Sequence, residues 1–99
     1  MASQFGTKIK ELRAKKGIFQ RQLAAMLDMD SPLFSKIERG ERTAKKEMVL
    51  KLATILNVDK DFLLSIWLAD QVFEMVKDEE VAINALNISK NEIKKNREQ

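Results

Sequence analysis

The stretch Gln20–Gly40, QRQLAAMLDMDSPLFSKIERG, constrains the chain most, because it carries two helix patterns with almost nothing between them. The first pattern runs from Gln20 to Leu27. Leu23, Ala24 and Leu27 fall at helical spacing and form one apolar face. Asp28-Met29-Asp30 breaks it, since Asp favours turns and helix starts over helix interiors. Asp30 suits an N-cap, and Pro32 then sits in the first turn, where its missing N–H costs little. The second pattern runs from Ser31 to Arg39, with Leu33 or Phe34 and Ile37 as its apolar positions. Gly40 is placed to stop it in a left-handed conformation.

The second helix is polar on most of its circumference. Ser31, Pro32, Ser35, Lys36 and Arg39 project away from the apolar side. Such a helix is either a solvated surface element or one left bare for something to touch. Short and cationic donors suit an edge-on approach to base pairs in a major groove, with cations left over for phosphates.

The remainder of the chain narrows the choice. It has 99 residues, enough for one modest core. Pro is 1 and Gly is 3, and β-branched or alternating runs are scarce, so the expected fold class is all-α. Cys is 0 and His is 0, which removes disulfides, thiolate metal sites and the commonest general base. No nucleophile–base pair, phosphate loop or metal set is visible, so no catalytic residue, metal or cofactor is expected and the chain does not read as an enzyme. No apolar stretch approaches the roughly 20 residues of a membrane span, and the N-terminus lacks a signal-peptide core. A cytoplasmic, nucleoid-associated protein is expected.

Charge is unevenly spread. Residues 1–50 hold 11 Lys/Arg against 6 Asp/Glu, residues 51–80 hold 3 against 7, and residues 81–99 hold 4 against 2. A basic half beside an acidic middle points to a polyanion partner for the first half.

In chain order, Ser3–Lys16 reads as the first helix, with Phe5, Ile9 and Leu12 on its apolar side and Gly17 as its stop. Arg13 lies at the edge of that stripe, where it either snorkels or meets a carboxylate, Glu38 being the candidate. Ile18 and Phe19 lead into the next helix as a hydrophobic staple on Leu23. Glu41–Lys46 is a basic loop in which Thr43 is a candidate cap. Arg42, Lys45 and Lys46 form a cationic cluster with Arg39. A fourth helix spans about Lys45–Asn57, with Met48, Leu52, Ile55 and Leu56 inward. Asn57 then ends it and Asp59 caps a fifth. From Lys60 to Lys77 the apolar residues go all the way round between Ile66 and Ala69. Asp78 is placed to cap a further amphipathic stretch through Val81, Ala82, Ala85 and Leu86, and the basic end SKNEIKKNREQ is expected to fray.

The order IKELR, Q-x-x-L-A, S-K-I-E-R-G and L-K-L-A-x-x-L-x-V resembles the phage repressor/Cro-like (XRE-type) helix-turn-helix regulators over about Phe5–Leu64. The resemblance implies a compact five-helix DNA-binding bundle whose third helix enters the major groove. It implies that Gln20 binds a phosphate and that Ser31, Pro32 and Lys36 reach base edges. Arg39, Arg42 and Lys46 would hold the backbone, and Arg13 and Glu38 would form a buried ion pair. Ser35 and Lys45 join these sets by their place on the exposed helix and in the basic loop. The chain departs from the family pattern at Phe19, which stands where a Ser or Thr cap is usual, and at Asp28, in place of a turn glycine. Pro32 replaces a Gln or Ser and can only pack, for instance on a thymine methyl. Ala44 replaces a frequent proline.

The expected division is a DNA-binding domain at 1–65, a C-terminal helical extension at 66–93 and a flexible basic tail at 94–99. Phe62, Leu63 and Leu64 are assigned to the domain core. Ile66, Trp67, Ala69, Phe73 and Val76 are then left for a homodimer interface, since several wet apolar side chains make a patch of the kind that marks one. The competing arrangement folds residues 78–93 back over the patch within one chain. The expected function is transcriptional regulation, in the sense of repression, from a palindromic operator bound as a homodimer. The alternative is an antitoxin or partner-controlled regulator whose 66–93 segment binds another protein.

Overall fold

The computed structural model describes residues 3–98, and its helices are α1 (Gln4–Lys15), α2 (Gln20–Met26), α3 (Ser31–Glu38), α4 (Lys46–Leu56), α5 (Lys60–Val76) and α6 (Ala82–Glu98). Among the described residues there is no strand. The all-α expectation holds, with α1–α5 as the bundle and α6 as the extension.

The helix ends follow from local chemistry. Ser3 Oγ accepts the Gly6 N–H at 2.8 Å, and Asp30 Oδ1 accepts the Leu33 N–H at 2.8 Å. Asp28 and Asn57 take φ of 58° and 55°, the left-handed conformation these two side chains tolerate. Gly40, at φ 79°, lets the Glu41 N–H reach back to the Lys36 carbonyl at 2.9 Å and close α3. Other caps differ from expectation. Lys45, not Thr43, is the N-cap of α4, and no side chain bonds there. Asp59 stands at the N-cap of α5 without a side-chain bond. Asp78 caps nothing: α6 begins only at Ala82, so Asp78, Glu79 and Glu80 lie in the turn before it. The polar end does not form a separate tail; α6 continues through Glu98. Residues 1, 2 and 99 of the expected ranges lie outside the described residues.

The core draws on every element of the bundle: Phe5 and Ile9, Leu23 and Ala24, Phe34 and Ile37, Val49, Leu52 and Leu56, and Leu63. Burying each large side chain stabilises by roughly 1.5–3 kcal/mol. α5 packs on α4 and α1, and α3 packs on α2 and α1. Phe62, expected inside, is instead 45% exposed and lies under the Lys8 ammonium. Phe19 is likewise exposed, so Ile18 alone takes the inward staple position.

α5 is one helix across the expected 65/66 boundary, and it is tied to the bundle beyond that point. Trp67 Nε1 donates to the Ala44 carbonyl at 2.8 Å. Asp70 accepts the N–H groups of Gln4 and Phe5 at 3.1 and 2.8 Å, supplying from α5 the acceptors that the first turn of α1 lacks. Ile66 and Trp67 therefore pack within the chain rather than waiting for a partner. Ala69 and Phe73 remain exposed, Val76 is half-buried, and the unforeseen Leu68 and Met75 are exposed beside them. The fold-back of 78–93 is not adopted: α6 packs lengthwise on no other helix and buries none of its residues.

Candidate nucleic-acid interface

α3 is held by its buried side. Phe34 and Ile37 enter the core, and Glu38, only 5% exposed, anchors the end of the helix. The Glu38 carboxylate accepts from Arg13 Nε at 2.8 Å and Arg13 Nη2 at 3.2 Å, a two-pronged contact that fixes direction as well as distance. Arg13 Nη1 also donates to the Ile18 carbonyl at 2.9 Å, so one guanidinium joins α1, α3 and the start of α2. The ion pair expected from the sequence is present.

Gly6 sets how closely α1 and α3 approach. A Cβ there would stand 2.8 Å from the Ile37 carbonyl oxygen and nearer still to that of Glu38. Only a residue without a side chain lets the helices meet at this distance.

The opposite side of α3 is open. Pro32, Lys36 and Arg39 are exposed, and Ser31 and Ser35 are half-buried beside them. Pro32 and Lys36 are one turn apart and share a face. Arg42, Lys45 and Lys46 are exposed in the loop that follows and at the start of α4. Among the described residues, Lys36, Arg42, Lys45 and Lys46 form no ion pair.

Two expected contacts are engaged elsewhere. Gln20 Nε2 donates to Glu38 Oε1 at 2.7 Å, so the amide braces the buried carboxylate instead of facing solvent. Arg39 is held by Glu41 through Nε at 2.6 Å and donates from Nη1 to Ser35 Oγ at 2.6 Å. The hydrogen bond between Arg39 and Glu41 and their opposed charges raise the Arg39 pKa and hold the Glu41 carboxyl below the usual carboxylate range. A phosphate that takes Arg39 competes with Glu41 for its charge.

Sequence reasoning missed two contributors to this surface. Arg21, in the first turn of α2, stacks over the exposed Phe19 ring at 5.7 Å and lies beside Ser31. Lys10, on α1, lines a cleft with Gln20, Ser35 and Arg39. Both cations were visible in the sequence, but only the packing of α1 and α2 against α3 brings them to its rim. Phe19 carries no acceptor to cap α2, and only Gln22 answers, accepting the Phe19 N–H at 2.8 Å. No group of three or more metal-ligating side chains occurs among the described residues.

The helix-turn-helix family profile matches residues 9–63. The chain is 36% identical over 59 residues to the HTH-type transcriptional regulator ImmR of Bacillus subtilis, covering 60% of this chain and 46% of ImmR. It thus spans about half the length of the curated relatives it matches. Among solved structures it is similar to the restriction-modification controller protein C.AhdI of Aeromonas hydrophila, at 37% identity and a TM-score of 0.55, over 60% of this chain and 89% of that one. The fold is also that of the clp gene regulator ClgR of Corynebacterium glutamicum, at 19% identity and a TM-score of 0.58 over 80% of this chain and 84% of the other. With the turn, the exposed face of α3 and the buried Arg13–Glu38 pair in place, the chain belongs to the repressor/Cro-like (XRE-type) helix-turn-helix family of transcriptional regulators, which is not a family of enzymes.

Proposed function

We propose that this chain binds double-stranded DNA in a sequence-specific way as a homodimer and regulates transcription, in the sense of repression, from a palindromic operator. The observation that carries the reading is the open face of α3, where Pro32 and Lys36 stand clear of a helix seated by Glu38 and Gly6. In this reading α3 lies in the major groove. Lys36 donates to guanine O6 or N7, Pro32 packs on a thymine methyl, and the Ser31 and Ser35 hydroxyls complete the base-facing set. Arg42, Lys45 and Lys46 take phosphates beside it, and Arg39 joins them once Glu41 lets go. Gln20 acts mainly as a positioning residue through Glu38. Work at DNA would place the protein with the nucleoid in the cytoplasm.

The homodimer follows from α5. Ala69, Phe73 and the half-buried Val76, joined by Leu68, form an outward apolar face along which no other helix packs among the described residues. A two-fold pairing there hides it and repeats α3 across the axis, about 34 Å or one DNA turn away, which is why the operator should be a palindrome. The DNA-binding unit in this reading runs through Gln71, and the dimerisation arm follows it. Selection of bound sequences from random duplex DNA tests the whole reading. An enriched palindrome is the expected result; recovery of unenriched sequence would refute sequence-specific binding.

A further inference from the structure

Among the described residues, two helix faces have no other helix packed along them, although Val72, Val76 and Ala82 on them are half-buried, and the two faces match each other. On the outward side of α5, Ser65, Ala69, Val72 and Val76 fall at alternating spacings of four and three. Ser65 and Ala69 are small, while Leu68 and Phe73 rise on either flank, so the face is a shallow trough. On α6, Ala82, Leu86, Ser89 and Ile93 repeat the same spacing. Leu86 and Ile93 stand up from it as a ridge, and every residue from Ile83 to Glu98 is exposed. This spacing keeps a stripe in register with a second helix crossing at about 20°. Both helices are 17 residues long.

Charge selects the partner. The later part of α6 carries Lys90, Lys94, Lys95 and Arg97, and the turn after α5 carries Asp78, Glu79 and Glu80. Within one chain these groups cannot meet. The acidic turn sits at the start of α6, and along a straight helix its cations lie roughly 12–22 Å further on. Parallel to the α5 of another copy, the cationic end of α6 lies against that copy's acidic turn.

We infer that α6 is an exchanged arm: it packs along α5 of a second copy, ridge into trough, with its cations on that copy's acidic turn. The inference rests on the homodimer proposed above and names its contacts. Charge reversal tests it by sedimentation equilibrium at low salt, where exposed charges are least screened. One variant is Lys90→Glu/Lys94→Glu and the other is Glu79→Lys/Glu80→Lys. Each alone should dimerise at least tenfold more weakly than wild type, with circular dichroism showing unchanged helix content. An equimolar mixture should restore a heterodimer as tight as wild type, because each arm then meets the opposite charge. If Lys90→Glu/Lys94→Glu dimerises like wild type, or if mixing restores nothing, α6 does not exchange and the homodimer is made elsewhere. A wild type that stays monomeric at every concentration overturns the homodimer itself, and the exchange with it.

Discussion

Replacing Gly6 by Ala separates two opposed effects. In a helix interior Ala is favoured over Gly by about 0.8–1 kcal/mol, so propensity alone makes Gly6→Ala stabilising. The structure reverses the sign. The new methyl would lie 2.8 Å from the Ile37 carbonyl oxygen and closer to that of Glu38, where ordinary contact begins at 3.4 Å. Both obstacles are backbone atoms at the end of α3, so no rotamer change relieves them and α1 must move away. Overpacking of this kind costs typically about 1–3 kcal/mol, and more when backbone must shift. Because the obstacles are backbone atoms, the upper part of that range applies, about 2–3 kcal/mol, and after the propensity gain a net loss of about 1–2 kcal/mol remains. For a domain of this size that lowers the melting temperature by roughly 5–15 °C. Thermal denaturation followed by circular dichroism measures it. A melting temperature at or above wild type would refute the close α1–α3 approach. DNA affinity should fall as well, since the end of α3 carries Arg39.

Glu38→Gln leaves Arg13 without its counter-charge in a largely buried place. It should destabilise by about 3 kcal/mol, the low end for a broken buried pair because Arg13 keeps the Ile18 carbonyl; an unchanged melting curve would count against it. Arg42→Ala should weaken binding alike on every sequence and flatten the log–log salt dependence by about one unit, whereas Lys36→Ala should relax preference at one half-site position by roughly 1–3 kcal/mol. Exchange of those two outcomes in binding titrations would reverse the assigned roles. Glu41→Gln frees Arg39 and should tighten DNA binding measurably. Because the Glu41 carboxyl is held below its usual range by Arg39, its grip persists above that range and is lost as pH falls through the lowered value. Wild type and Glu41→Gln should therefore converge in affinity at acid pH, and a gap that stays constant would show that Glu41 does not compete.

The sequence made the bundle legible because its signals were local. The Asp30 cap, the Gly40 stop and the apolar spacing of α1 through α4 each depend on neighbours within a turn or two. Arg13–Glu38 was legible only as a suspicion until the family resemblance supplied its geometry. The ties that cross the chain were not legible. Asp70 on the first turn of α1 and Trp67 on Ala44 depend on how α5 lies, and no local pattern encodes that. Phe62 was misplaced for the same reason: within an apolar run, only the rotation of α5 decides which side faces out. Gln20 and Arg39, expected at phosphates, each have an acidic partner within reach that spacing along one helix cannot reveal.

The staple made by Asp70 bears on how such regulators can be recombined. The helix-turn-helix match ends at residue 63, which invites a cut and a graft there. In this chain that cut would strip the acceptors from the Gln4 and Phe5 N–H groups and the indole from the Ala44 carbonyl. A chimera joined at residue 64 would carry a reading head whose first helix is unlatched, whatever arm it received. On the homodimer reading proposed above, a splice point after Gln71 would keep both ties, since the Trp67 and Asp70 bonds to the bundle lie before it.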